Sequence, residues 1–106
     1  MDDDRLRAER LLTLSSAARR IADIVAAAES PVDYAVLRHL LRVSEETMTE
    51  TLEEAVHAGL VKRGADAHGY VPDSEQVGEE IRDAMGEERR DRIRSQVASA
   101  SRRVFE

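Results

Sequence analysis

The stretch PVDYAVLRHLLRVSEETMTETLEEAVHAGLVKRGADAHGYV, residues 31–71, decides how this chain is read. Asp33 can accept hydrogen bonds from the N–H groups that open a helix, and Val36, Leu37, Leu40 and Leu41 then recur at helical spacing. These features predict a short amphipathic helix over 33–42. Val43-Ser44 interrupts the run. Ser44 is a second N-cap, and Glu45 and Glu46 place acids at the positive end of a new helix. Met48, Leu52, Ala55 and Val56 give that helix an apolar stripe over 45–58, and Gly59 supplies its stop. The runs 60–63 and 69–71 are β-prone and flank the turn-forming Gly64-Ala65-Asp66-Ala67-His68, so a hairpin is expected next. Two closely spaced helices followed by a hairpin wing predict a mainly α chain with a winged helix-turn-helix.

The second helix of such a unit reads DNA by presenting donors to base edges, with cations on the phosphates around it. Here it carries five glutamates, Glu45, Glu46, Glu50, Glu53 and Glu54, and no lysine or arginine. Its outward positions are expected to be Glu46, Thr47, Glu50, Thr51, Glu53, Glu54 and His57. A phosphate-lined groove would meet like charge along this helix, and each carboxylate removes the gain a phosphate contact would bring. Glu50, Glu53 and Glu54 are therefore candidates for protein contact. The alternative, a small DNA-binding regulator dimerising through its C-terminal helix, would use Thr47, Thr49, Thr51, Lys62, Arg63 and His68.

Outward from this block, 5–14 carries Leu6, Leu11, Leu12 and Leu14 and predicts an N-terminal helix. Ser15-Ser16 can cap a longer helix over 16–29 with Ala18, Ile21, Ala22, Val25 and Ala28 on its buried side and Ile24 alongside. That helix is expected to pack under the wing as the first of three core helices. The expected interior is Ile21, Val25, Leu37, Leu40, Leu41, Met48, Leu52 and Val56. Beyond the hairpin, Pro72 cannot donate to a ladder and ends the strand, and Asp73 or Ser74 caps a helix to Met85. After Gly86, a last helix over 87–104 bears Ile93, Val97, Ala100 and Val104 in a narrow stripe. That stripe can pack on its own core or on another chain, so these four residues are candidate partner contacts.

A length of 106 residues suits one domain over 1–106, divided into a core and wing at 15–71 and a helical extension at 73–105. Apolar residues make up 42 % and aromatics only 3 %, so the core must be built from Ala, Leu, Val and Ile. The formal charge of −6 disfavours nonspecific attraction to nucleic acid or anionic membrane, yet Arg89, Arg90, Arg92, Arg94, Arg102 and Arg103 make the C-terminal end basic. No apolar run approaches the roughly 20 residues that span a bilayer. Met1-Asp2-Asp3-Asp4 has the wrong sign for a signal peptide, and the absence of cysteine fits a reducing cytoplasm. One lysine against fifteen arginines suggests a high-GC, bacterial-like genome.

Nothing in the sequence converges on catalysis. His39, His57 and His68 lack metal-ligand spacing, and the serines sit where caps belong. The glycines at 59, 64, 69, 78 and 86 are too dispersed for a phosphate loop. No catalytic residue, metal, cofactor or small-molecule substrate is expected, and an enzyme is not the reading.

The segments LTLSSAARRI at 12–21, VSEE at 43–46 and LEEAVHAGLV at 52–61 resemble the winged-helix module that follows the ATPase region in LuxR-type and related STAND regulators. IRDAMGEERRDRI at 81–93 is similar to that family's passage into an arginine-rich helix. Pro72 and Ser74 stand where the family usually has phenylalanine and histidine, so a nucleotide-sensing role does not transfer. The resemblance implies a relay that works by protein contact in transcription regulation, which agrees with the acidic helix.

Overall fold

The computed structural model describes residues 14–65 and 69–105. The expected helix over 5–14 lies almost wholly outside them. Five helices and a two-stranded antiparallel sheet follow in the order α1 (Ser16–Ala28), α2 (Tyr34–Leu41), α3 (Glu45–His57), β1 (Val61–Arg63), β2 (Tyr70–Pro72), α4 (Glu75–Met85) and α5 (Glu87–Phe105). The chain is mainly helical among these residues.

Local chemistry sets most boundaries. Side-chain oxygens of Ser15, Asp33, Ser44 and Ser74 accept from the N–H groups of Ala18, Ala35, Thr47 and Val77, so four helices start on a capping residue. At the end of α3, Gly59 has φ 74°. Its N–H donates to Val56 O at 3.0 Å while that of Leu60 donates to Ala55 O at 3.2 Å, which satisfies carbonyls the helix leaves open. Arg42 closes α2 in the left-handed region at φ 55°, with its N–H on Arg38 O, and the chain needs only Val43 and Ser44 to begin α3. Gly86, at φ 86°, separates α4 from α5.

β1 and β2 pair with Val61 opposite Pro72, Lys62 opposite Val71 and Arg63 opposite Tyr70. Pro72 ends the ladder, as its missing N–H requires. The far edge of Tyr70 is also occupied. Val32, between α1 and α2, forms an antiparallel bridge with it, Val32 N to Tyr70 O at 3.0 Å and Tyr70 N to Val32 O at 2.8 Å. Gly69 makes this approach feasible, because a Cβ there would lie 3.0 Å from the Val32 carbonyl carbon and oxygen. The hairpin is thereby fastened to the helices on one edge.

α1 is the centre of the molecule and packs against α2, α3, α4, α5 and β2. Ala18, Ile21, Ala22, Ile24, Val25, Ala26 and Ala27 are all buried on it, a wider arc than the single face expected of a surface helix. Ile24-Val25-Ala26-Ala27-Ala28, five positions without a polar group, is the sequence mark of that enclosure. One core joins these residues to Leu37, Met48, Leu60, Val61, Val77, Ile81, Ile93 and Ala100. Of the expected interior, Ile21, Val25, Leu37, Leu41, Met48 and Leu52 are buried and Leu40 is half-buried.

Val56 departs from expectation at 41 % exposed, and so does Thr51, expected outward and only 7 % exposed. At about 100° per residue, Thr51 lies about 40° from Ala55 and Val56 lies about 40° beyond Leu52, on opposite rims of the stripe. The helix is turned so that the rim with Thr51 goes inward and the rim with Val56 stays out.

Candidate functional site

The outer face of α3 is the feature the sequence singles out. Glu45, Glu46, Glu50 and Glu53 are exposed, and among the described residues none of them forms an ion pair. Their nearest structural duty is at the first turn, where Glu45 and Glu46 face the positive end of the helix. Glu54 behaves differently. Its Oε2 accepts from both the backbone N–H and the Oγ of Ser15 at 2.9 Å, so this carboxylate holds α3 against the start of α1 and is engaged within the chain. The candidate contact set on α3 accordingly contracts to Glu50 and Glu53, with Glu46 beside them.

Residues of the alternative, DNA-contacting set are scattered in role. Thr47 and Thr49 are exposed but turned to local bonds, Ser44 Oγ donating to Thr47 Oγ1 at 3.0 Å and Thr49 Oγ1 to Glu45 O at 3.0 Å. Thr51 is buried, which removes it from any groove-facing surface. Lys62 and Arg63 are exposed on β1, and the Arg63 guanidinium stands 5.9 Å from the centre of the Tyr70 ring. His68 lies outside the described residues. Between α3 and the sheet, Tyr34, Leu52, Val56, His57, Arg63 and Tyr70 line an open hollow of about 350 Å³ that brings apolar surface up to the acidic row.

The stripe on α5 is divided. Ile93 is 8 % and Ala100 2 % exposed, both inside the chain's own core, while Val97 and Val104 are half-buried. Burial of the first two against α1 and α2 leaves at most the margin of the stripe for a partner.

Much of the C-terminal basic character is also used internally. Arg94 donates from Nε to Ala27 O at 2.9 Å and pairs with Glu29, and Arg82 donates from Nη1 to Ala26 O at 3.0 Å and lies 3.5 Å from the same carboxylate. Two guanidiniums thus meet the carbonyl end of α1, where the helix has orphan acceptors and a negative dipole end. Glu29 follows at φ 55° and joins them. Arg89 reaches Asp23 at 2.8 Å. Burial raises the Asp23 carboxyl above its ordinary range despite the opposing guanidiniums of Arg89 and Arg19. In the sequence these arginines are indistinguishable from Arg92 and Arg102, which are exposed.

Among the described residues no three His, Asp or Glu side chains are grouped to hold a metal ion, and no helix is long and apolar enough to cross a membrane. Compared with protein-family models, with curated proteins and with solved structures, the chain shows no significant match.

Proposed function

We propose that residues 16–72 form a winged helix whose second turn-unit helix, α3, is a protein-contact surface, making the chain a cytoplasmic, non-catalytic module of transcription regulation or signalling. The order α1, Val32 bridge, α2, α3, β1, β2 supports the winged-helix reading, because the segment between the first two helices adds to the second hairpin strand in the manner of a three-stranded wing sheet. The observation that carries the function is the exposed row Glu46, Glu50, Glu53, which forms no ion pair among the described residues, on the helix that would have to enter a DNA groove. Counterion release rewards cations on phosphates and gives nothing to carboxylates. Apolar exposure at Val56 beside the row supplies surface that a protein partner would remove from water.

The test is a titration of the chain and of Glu50→Ala/Glu53→Ala against a randomised duplex library near physiological salt. The expected result is no enriched motif, with any residual binding steeply salt-sensitive and stronger once the carboxylates are gone. Base-specific contacts are worth about 1 to 3 kcal/mol each. An enriched motif whose affinity drops in the double variant would make α3 an operator reader and end the protein-contact reading.

A further inference from the structure

Some of the arginines that the core does not consume meet from three helices distant in sequence. Arg20 from α1, His39 and Arg42 from the end of α2, and Gln96, Ser99 and Arg103 from α5 line a cleft of about 540 Å³. Arg38, His39 and Arg42 continue into a neighbouring hollow of about 530 Å³ that ends at Val104. Among the described residues neither is lined by a carboxylate. Among the described residues Arg20, Arg38, Arg42 and Arg103 form no ion pair, unlike Arg82, Arg89, Arg90 and Arg94. This is a concave cationic surface in a chain whose formal charge is −6, and it asks for an anionic partner.

We propose that the cleft receives the acidic outer face of α3 from a second copy of this chain, so that copies associate head to tail. The inference rests on α3 being a protein-contact helix and names its partner. Glu46, Glu50 and Glu53 lie within eight residues on one helix face, about 10 Å along its axis, and Arg38 in the last turn of α2 is followed by Arg42 at its cap, with Arg20 and Arg103 widening the cation field from the flanking helices. Carboxylate rows and guanidiniums are matched groups, and each planar guanidinium fork can donate two parallel N–H bonds to the two oxygens of one carboxylate.

α3 packs on α1 and β1 while α5 packs on α1, α2 and α4, so the two faces belong to different parts of the surface and one copy can engage two neighbours at once. Such a contact is heterologous and extends into chains or closes into rings, in place of the self-matching pair of a two-fold dimer. Opposite faces attract at contact even though whole copies repel at distance, and salt screens the attraction.

Sedimentation of the chain is measured over a range of concentrations at an ionic strength of about 0.01 M, where the Debye length is about 30 Å, and at about 1 M, where it is about 3 Å. The expected result is a mass that rises with concentration at low salt and returns to the monomer at high salt. Two charge-reversed variants, Arg20→Glu/Arg103→Glu and Glu46→Arg/Glu50→Arg, should each remain monomeric alone and should associate when mixed in equal amounts, because each restores the face the other lacks. Circular dichroism matched to the parent certifies their folds, and Arg38→Glu with Glu53→Arg forms a second such pair.

A parent that stays monomeric at low salt overturns the inference, as does association that survives in both variants alone. Retardation of duplex DNA by the parent that Arg20→Glu/Arg103→Glu abolishes also overturns it and makes the cleft a nucleic-acid surface. A monomeric parent together with an unenriched duplex library removes only this inference and leaves α3 as a contact for a different protein.

Discussion

Arg94 on α5 turns inward to the last carbonyls of α1, whereas Glu46, Glu50 and Glu53 on α3 are exposed and form no ion pair among the described residues. The α3 stretch is acidic and α5 is rich in arginine, and in the sequence both look like surfaces for a partner. The difference lies in what stands opposite. α5 runs past the carbonyl end of a buried helix, which needs donors, while among the described residues the outer side of α3 stays exposed. Charge bears on function only after the internal demand for it has been met.

The comparison can be broken first at the inner side of α3. If that helix is truly two-faced, Leu52→Ala should cost about 2 to 5 kcal/mol in a denaturant melt, as a buried leucine truncation does. A variant that melts with the parent would mean α3 is not anchored through its apolar side, and its acidic side could then not be called the outer one. The α5 half of the comparison is tested within one helix. Arg94→Ala should lose about 1 to 3 kcal/mol, because it strips a charged donor from a part-buried carbonyl and leaves Glu29 with Arg82 alone. Arg92→Ala, the same change at an exposed position, should stay within about 0.5 kcal/mol. Equal losses at the two positions would erase the distinction between consumed and free arginines. The smallest effect is expected at α3: Glu50→Gln/Glu53→Gln should leave stability within about 0.5 kcal/mol of the parent by the same melt. A larger loss would show that these carboxylates serve the fold after all.

What was legible in the sequence was local. Ser15, Asp33, Ser44 and Ser74 cap helices through groups two or three residues away, and the apolar spacing of Ile21, Val25, Leu37 and Met48 needs no knowledge of a partner element. The illegible parts are those made across the chain. Nothing near Val32 announces that it will lie on Tyr70, and nothing near Glu54 announces Ser15. Thr51 and Val56 exchange places for the same reason, since spacing fixes the width of a stripe while the neighbour fixes its rotation. For the candidate site, the acidic row could be read directly because it stays on one helix. The cationic cleft could not, because its arginines come from α1, α2 and α5 and meet only in the folded chain.

The carbonyl end of α1 is closed by side chains that lie 56 and 67 residues further along the chain. A polypeptide emerges from the ribosome in order, at about 5 to 20 residues per second. The earliest helix of the described chain therefore spends its first seconds with Ala26, Ala27 and their neighbours turned to water or to whatever else will meet them, and it is finished only when Arg94 has been made. During synthesis the last helix acts as the latch for the first.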